Sequence, residues 1–171
     1  MIDNFERSLD LVLKSEGGYV DNPKDPGGIT NLGVTATTWA NWTKHMVTEK
    51  IMRALTKEDV EPLYKRKYWD ACSCDNIPVG LDYLVFDFAV NAGPGRSAKL
   101  LQRALGLPED GIIGGQTLQS IDVADKNDLI SRFSDVKISY YESLPTFATF
   151  GKGWVARVNE ARGNASAMII G

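Results

Sequence analysis

One histidine, two cysteines and no surplus of basic residues are spread over 171 residues, and each shortage removes a class of chemistry. His45 alone leaves a Ser-His-Asp or Cys-His scheme with a single imidazole base in the whole chain, and it reads as a surface or packing residue. Cys72 and Cys74 are too few for a disulfide scaffold. A bridge across one residue would be strained, so reduced thiols are expected. With His45 distant in sequence, no Cys/His set supplies four metal ligands. Nineteen Lys and Arg against 22 Asp and Glu give a formal net charge of -3, which argues against a nucleic-acid partner. No apolar run approaches the ~20 residues of a membrane-spanning helix, so no stable membrane insertion is expected. Internal repeats, low-complexity tracts and Ser/Pro-rich linkers are also missing, and the length suits one domain with a sizeable core.

What is present is mostly helical periodicity. Phe5, Leu9, Val12 and Leu13 recur on one helix face behind a cap at Asp3 or Asn4. Glu16 falls four after Val12 and three after Leu13, so it continues the apolar stripe. Gly17 and Gly18 follow with the freedom that ends helices. Partial burial and the negative end of the helix dipole both disfavour an ionised carboxylate there. A carboxylic acid that keeps its proton is what glycosidic cleavage needs as general acid; a Glu pointing to water is the competing reading. Asp25 stands in Asp-Pro-Gly-Gly, ordinary turn chemistry, and Thr30 alone is an ordinary strand residue. Together they could offer a second carboxyl and a hydroxyl across a groove from Glu16.

Further along, Ile29, Leu32 and Val34 among glycines read as a short hairpin. Thr35 is placed to cap a helix with Trp39 and Trp42 on one face, and Thr48 to Leu55 reads as a short helix. Thr56-Lys57-Glu58-Asp59 has the form of a capping box, and Pro62 should kink or restart the helix that follows. Tyr68 and Trp69 could pack or stack on sugar rings. Asp70 to Pro78 reads as a loop. The stretch from Gly80 to Gly93 is apolar nearly all round and reads as a buried central helix, with Asp82 and Asp87 paired to basic side chains. Asn91, at its end, is either a helix cap or a group that bonds a substrate amide. Ser97 to Leu105 is an amphipathic helix ending at Gly106. Another begins at Asn127 or Asp128 and stops before Pro145. Phe147, Phe150, Gly151 and Gly153 suggest an aromatic turn, and a final helix carries Trp154, Val155, Val158, Ala161 and Ala165.

The wording Glu16-Gly17-Gly18-Tyr19-Val20 with Asp25-Pro26-Gly27-Gly28-Ile29-Thr30-Asn31-Leu32-Gly33-Val34 resembles glycoside hydrolase family 108, the N-acetylmuramidases of phage endolysins and secretion-associated proteins. The spacing of Glu16, Asp25 and Thr30 is also similar to the Glu/Asp/Thr triad of phage T4-type lysozymes, one residue short before the Thr. Gln102, Gly106, Asp110-Gly111, Gly114 and Thr117 look like the peptidoglycan-binding module found in the C-terminal part of the same family. The resemblance implies a mainly α, lysozyme-like fold with a small β-hairpin element beside the active-site cleft. It implies a single domain, 1–171, with a catalytic part at 1–91 and a peptidoglycan-binding-like helical part at 92–171 packed on it.

The implied activity is hydrolysis of the β-1,4 bond between N-acetylmuramic acid and N-acetylglucosamine in peptidoglycan glycan strands. Glu16 would be the acid, Asp25 and Thr30 would assist, and Tyr68, Trp69 and Asn91 would face substrate. No metal or organic cofactor is implied, and a monomer is expected. A lytic transglycosylase and a non-catalytic wall-binding or secretion-accessory protein are the rival readings. The polar, acidic first residues do not have the form of a secretory leader. The expected course is synthesis in the bacterial cytoplasm, then action in the periplasm or wall after holin-type or secretion-linked release.

Overall fold

The computed structural model describes residues 4–24 and 28–170, and divides into two compact units, Met1–Arg66 and Lys67–Gly171. In the first, helix α1 (Asn4–Glu16) buries Phe5, Leu9 and Val12, the face that periodicity selects. Strands β1 (Thr30–Asn31) and β2 (Val34–Thr35) form an antiparallel pair, with Thr30 opposite Thr35 and Asn31 opposite Val34. Thr35 then caps α2 (Ala36–Thr43), its hydroxyl accepting from the Thr38 amide at 3.1 Å. Helices α3 (Glu49–Arg53) and α4 (Lys57–Tyr64) follow, each capped by the Thr before it. At Thr56 the cap is a full reciprocal box with Asp59. Pro62 lies inside α4, which is not restarted there. The winding changes three residues later instead, to a wider π-turn over Lys65–Trp69.

The second unit is a helical bundle around α5 (Leu81–Ala92), whose residues from Leu81 to Ala89 are all buried. The expected loop before it is wound into two 3-10 turns, Asp70–Cys72 and Cys74–Asn76. Gly80, at φ 95°, lets α5 start against another helix, because a Cβ there would lie 2.7 Å from the Ala165 carbonyl oxygen. Around α5 stand α6 (Pro94–Leu105), α7 (Gly115–Val123), α8 (Lys126–Glu142) and α9 (Phe147–Ile170). Asp125 caps α8 by accepting from the Asp128 amide at 2.8 Å, so that helix starts slightly earlier than its pattern suggests. Gly151 and Gly153 make no turn. They lie inside α9, and Gly151 is there because a Cβ would meet the Phe147 ring at 2.5 Å.

The spaced motif from Gln102 to Thr117 is a hydrogen-bonded hub. Gln102 is 2% exposed. Its Nε2 donates to Asp110 Oδ1 at 2.7 Å, the Ile112 carbonyl at 3.0 Å and Thr117 Oγ1 at 3.2 Å, while its Oε1 accepts from the Gly111 amide at 3.0 Å. One amide side chain thus satisfies a loop that has little regular structure of its own. Cys72 and Cys74 are buried, unbridged thiols, and burial holds the Cys74 proton tightly. Among the described residues no helix is long and apolar enough to cross a membrane.

Candidate active site

Glu16 is the last residue of α1 and is half-buried. Gly17, at φ 78°, ends the helix, its amide donating to the Leu13 carbonyl at 3.2 Å. The chain then doubles back. The Val20 amide donates to the Thr30 carbonyl at 2.7 Å, and the Thr30 amide donates to the Val20 carbonyl at 2.8 Å. Thr30 is therefore flanked by Val20 on one side and Thr35 on the other. This places the hydroxyl-bearing strand beside the segment that leaves Glu16.

The hairpin turn supplies the second contact. Leu32 at φ 51° and Gly33 at φ 75° are the two central residues between paired strands, the signs of a type I′ turn. A left-handed conformation is unfavourable for Leu, and Tyr64 holds it. The Tyr64 hydroxyl donates to the Leu32 carbonyl at 2.8 Å. A Cβ on Gly33 would overlap that hydroxyl and reach Glu16 Cγ at 3.0 Å. The turn is thus seated directly on the Glu16 side chain and on Tyr64. Asn31 fastens the other side, its buried amide donating to the Met52 carbonyl at 2.7 Å. Arg53, paired with Glu49 at 2.8 Å, lies over the Tyr19 ring at 4.0 Å, next to the glycines that follow Glu16.

Tyr64, Asn31 and Gly33 hold this arrangement, yet pattern reasoning ascribes no special role to them. Gly33 carries the one available signal, a glycine two residues past a strand-forming Thr-Asn pair. Asp25 lies outside the described residues. Tyr68 and Trp69 sit on the π-turn. Tyr68 is half-buried, whereas Trp69 is 1% exposed. The Trp69 indole N–H donates to Asp75 Oδ1 at 2.7 Å, and its ring stands edge-on to Phe86 at 5.4 Å. Trp69 therefore packs, and Tyr68 is the more exposed member of the pair. Asn91 is exposed on the last turn of α5 and lines a pocket of about 270 Å³ within the second unit. Of the two buried acids on that helix, Asp87 pairs with Arg157 at 3.3 Å as expected. Asp82 accepts the Gly80 and Tyr83 amides at 2.9 and 2.6 Å, serving the helix start. Among the described residues no group of three or more His, Cys, Asp or Glu side chains is placed to hold a metal ion.

A half-buried carboxyl at a helix end, seated under a small hairpin in a mainly α chain, is a lysozyme-like architecture. Residues 9–93 match the family described as "Glycosyl hydrolase 108", and residues 96–159 match one described as "Predicted Peptidoglycan domain". A solved structure titled "Structure of Brucella abortus SagA" is similar at 39% sequence identity and a TM-score of 0.85, covering 96% of this chain and 95% of that one. No curated protein matches. The chain belongs to the glycosyl hydrolase 108 family. It is a glycoside hydrolase, and its substrate class is peptidoglycan.

Proposed function

We propose that the chain is an endo-acting muramidase that cleaves the β-1,4 bond between N-acetylmuramic acid and N-acetylglucosamine, with Glu16 as general acid. The observation that carries this reading is the seating of Glu16. It ends α1 within the glycosyl hydrolase match, with the turn residue Gly33 packed on its side chain. A carboxyl held by a helix end and a hydrogen-bonded turn is pre-organised to protonate the leaving glycosidic oxygen. In this scheme Asp25 orients water or stabilises positive charge at the anomeric carbon, and Thr30 assists it from β1. A carboxyl separation of roughly 6.5–9.5 Å in the substrate complex corresponds to inversion, and ~5 Å to a covalent, retaining route. Tyr68 and Asn91 are the proposed substrate-facing groups. The enzyme meets its polymer in the periplasm or wall after holin-type or secretion-linked release.

The test is Glu16→Gln, which preserves shape and removes the transferable proton. Wall lysis by the variant should fall about 10²–10⁴-fold with circular dichroism and thermal midpoint unchanged. Near-normal lysis by the folded variant would remove Glu16 from the role.

A further inference from the structure

The pocket of about 270 Å³ in the second unit is lined by Asn91, Tyr140, Tyr141, Trp154 and Arg157, among others. Its aromatic rings do not offer themselves as flat platforms. Trp154 stacks on Tyr141 at 4.9 Å and 26°, and Phe150 lies against it at 5.7 Å. The Arg96 guanidinium lies over the Tyr140 ring at 5.1 Å, and Phe88 meets the same ring near a right angle at 6.0 Å. With Trp154, Tyr141 and Tyr140 already packed on one another, on Phe150 and Phe88 or under Arg96, a pyranose ring would have to compete with these contacts, and ring edges, which carry positive potential, suit an anionic group.

The charge behind the pocket has the same sign. The buried carboxylate of Asp87 faces two cations, Arg157 at 3.3 Å and the fully buried Lys137, whose ammonium also lies 4.6 Å from the Phe133 ring centre. Burial presses Lys137 down to about 8, opposed by the charge of Asp87 and reinforced by that of Arg157, so it remains largely charged at neutral pH. Arg96, over the ring of the lining Tyr140, adds a third cation, and the exposed Asn91 contributes an amide able to donate and accept.

We infer that this pocket takes a small carboxylate-terminated acyl-amino group, the free carboxyl end of a short wall peptide, and not the glycan strand. Arg157 and Arg96 attract the carboxylate, Asn91 bonds the neighbouring amide, and the ring edges close around the side chain. The volume lies at the small end for organic ligands and suits one or two residues. This rests on the assignment of peptidoglycan as substrate class. It adds a second contact, separate from the glycan chemistry ascribed to Glu16, by which the enzyme would read the peptide state of the wall.

The experiment titrates N-acetyl-D-alanyl-D-alanine, its C-terminal amide and N-acetylglucosamine oligomers into isotope-labelled full-length protein. The Trp154 indole and Asn91 amide resonances are followed. The acid should shift both, the amide should bind about tenfold more weakly through loss of a charge-assisted bond, and Asn91→Asp should weaken the acid by a similar factor. Equal binding of acid and amide, an unaffected Asn91→Asp protein, or shifts produced by the sugar oligomers alone would each overturn the inference. Glu16→Gln is titrated in parallel with a wall-digestion assay. Dipeptide binding retained while wild type fails to digest wall would uphold the pocket and remove the hydrolase assignment. Digestion without dipeptide binding would do the reverse.

Discussion

Lys137 is a buried cation set against aromatic rings. Burial lowers it from 10.5 to about 8, with Asp87 opposing and Arg157 assisting the fall. Between those two values the unfolded chain binds the proton more often than the folded one, so stability should rise with pH across that window. Below about pH 8 both states are protonated and the full penalty, on the order of 3 kcal/mol, is present. Tyr83 and Tyr141, pushed by burial from 10.0 up to about 12, act in the opposite sense only above about pH 10. Denaturant melts of wild type and Lys137→Met between pH 7.5 and 10 isolate the contribution of Lys137. The variant should be the more stable at pH 7.5, with the gap closing as pH rises. A gap that stays constant across the window would show that Lys137 is not titrating there. The half-buried place of Glu16 at the end of α1 was legible because its position on the apolar stripe and the two glycines after it are local facts. Tyr64 was not, because its hydroxyl acts on a carbonyl 32 residues away.

At the scale of elements, the hairpin and the Gln102 hub show how a few residues can position many. Gly33→Ala places a Cβ against Tyr64 and Glu16 in a left-handed conformation, so it should destabilise by about 1–3 kcal/mol and lower wall-degrading activity with it. Tyr64→Phe keeps the ring and strands the Leu32 carbonyl, for about 1–2 kcal/mol. Urea melts and lysis rates of both variants check this. An active, fully stable Gly33→Ala protein would show that the turn does not set the Glu16 side chain. Gln102→Leu removes the side chain that serves the Gly111 amide, the Ile112 carbonyl and the Thr117 hydroxyl, and one of two donors to Asp110, and a loss of about 2–3 kcal/mol should follow in the same melts.

Helix caps at Thr35 and Thr56 were readable because a cap is a contact within four residues. Gly151 was misread as a turn because its cause is a ring lying across it, and sequence cannot distinguish a glycine kept for space from one kept for φ. Pro62 does not restart its helix, which runs on to Tyr64 before the winding widens at Lys65.

Over the whole molecule, the chain joins a glycosyl hydrolase match to a peptidoglycan-domain match without a linker between residues 93 and 96. The net charge of -3 gives no general attraction to an acidic polymer, so recognition must be local. The aromatic pocket with its buried cations is the local site we infer, and the groups around Glu16 are the one we propose. Mostly helical architecture followed from periodicity, whereas the small hairpin's seat on Glu16 depended on long-range packing that no local pattern encodes.

The most direct test of the central claim is digestion of purified peptidoglycan by wild type and Glu16→Gln side by side, with mass spectrometry of the fragments. Fragments with reducing-end N-acetylmuramic acid, released by wild type and absent with Glu16→Gln, are the predicted result. The same fragments from the variant would contradict the role of Glu16, and 1,6-anhydro ends from wild type would contradict hydrolysis itself.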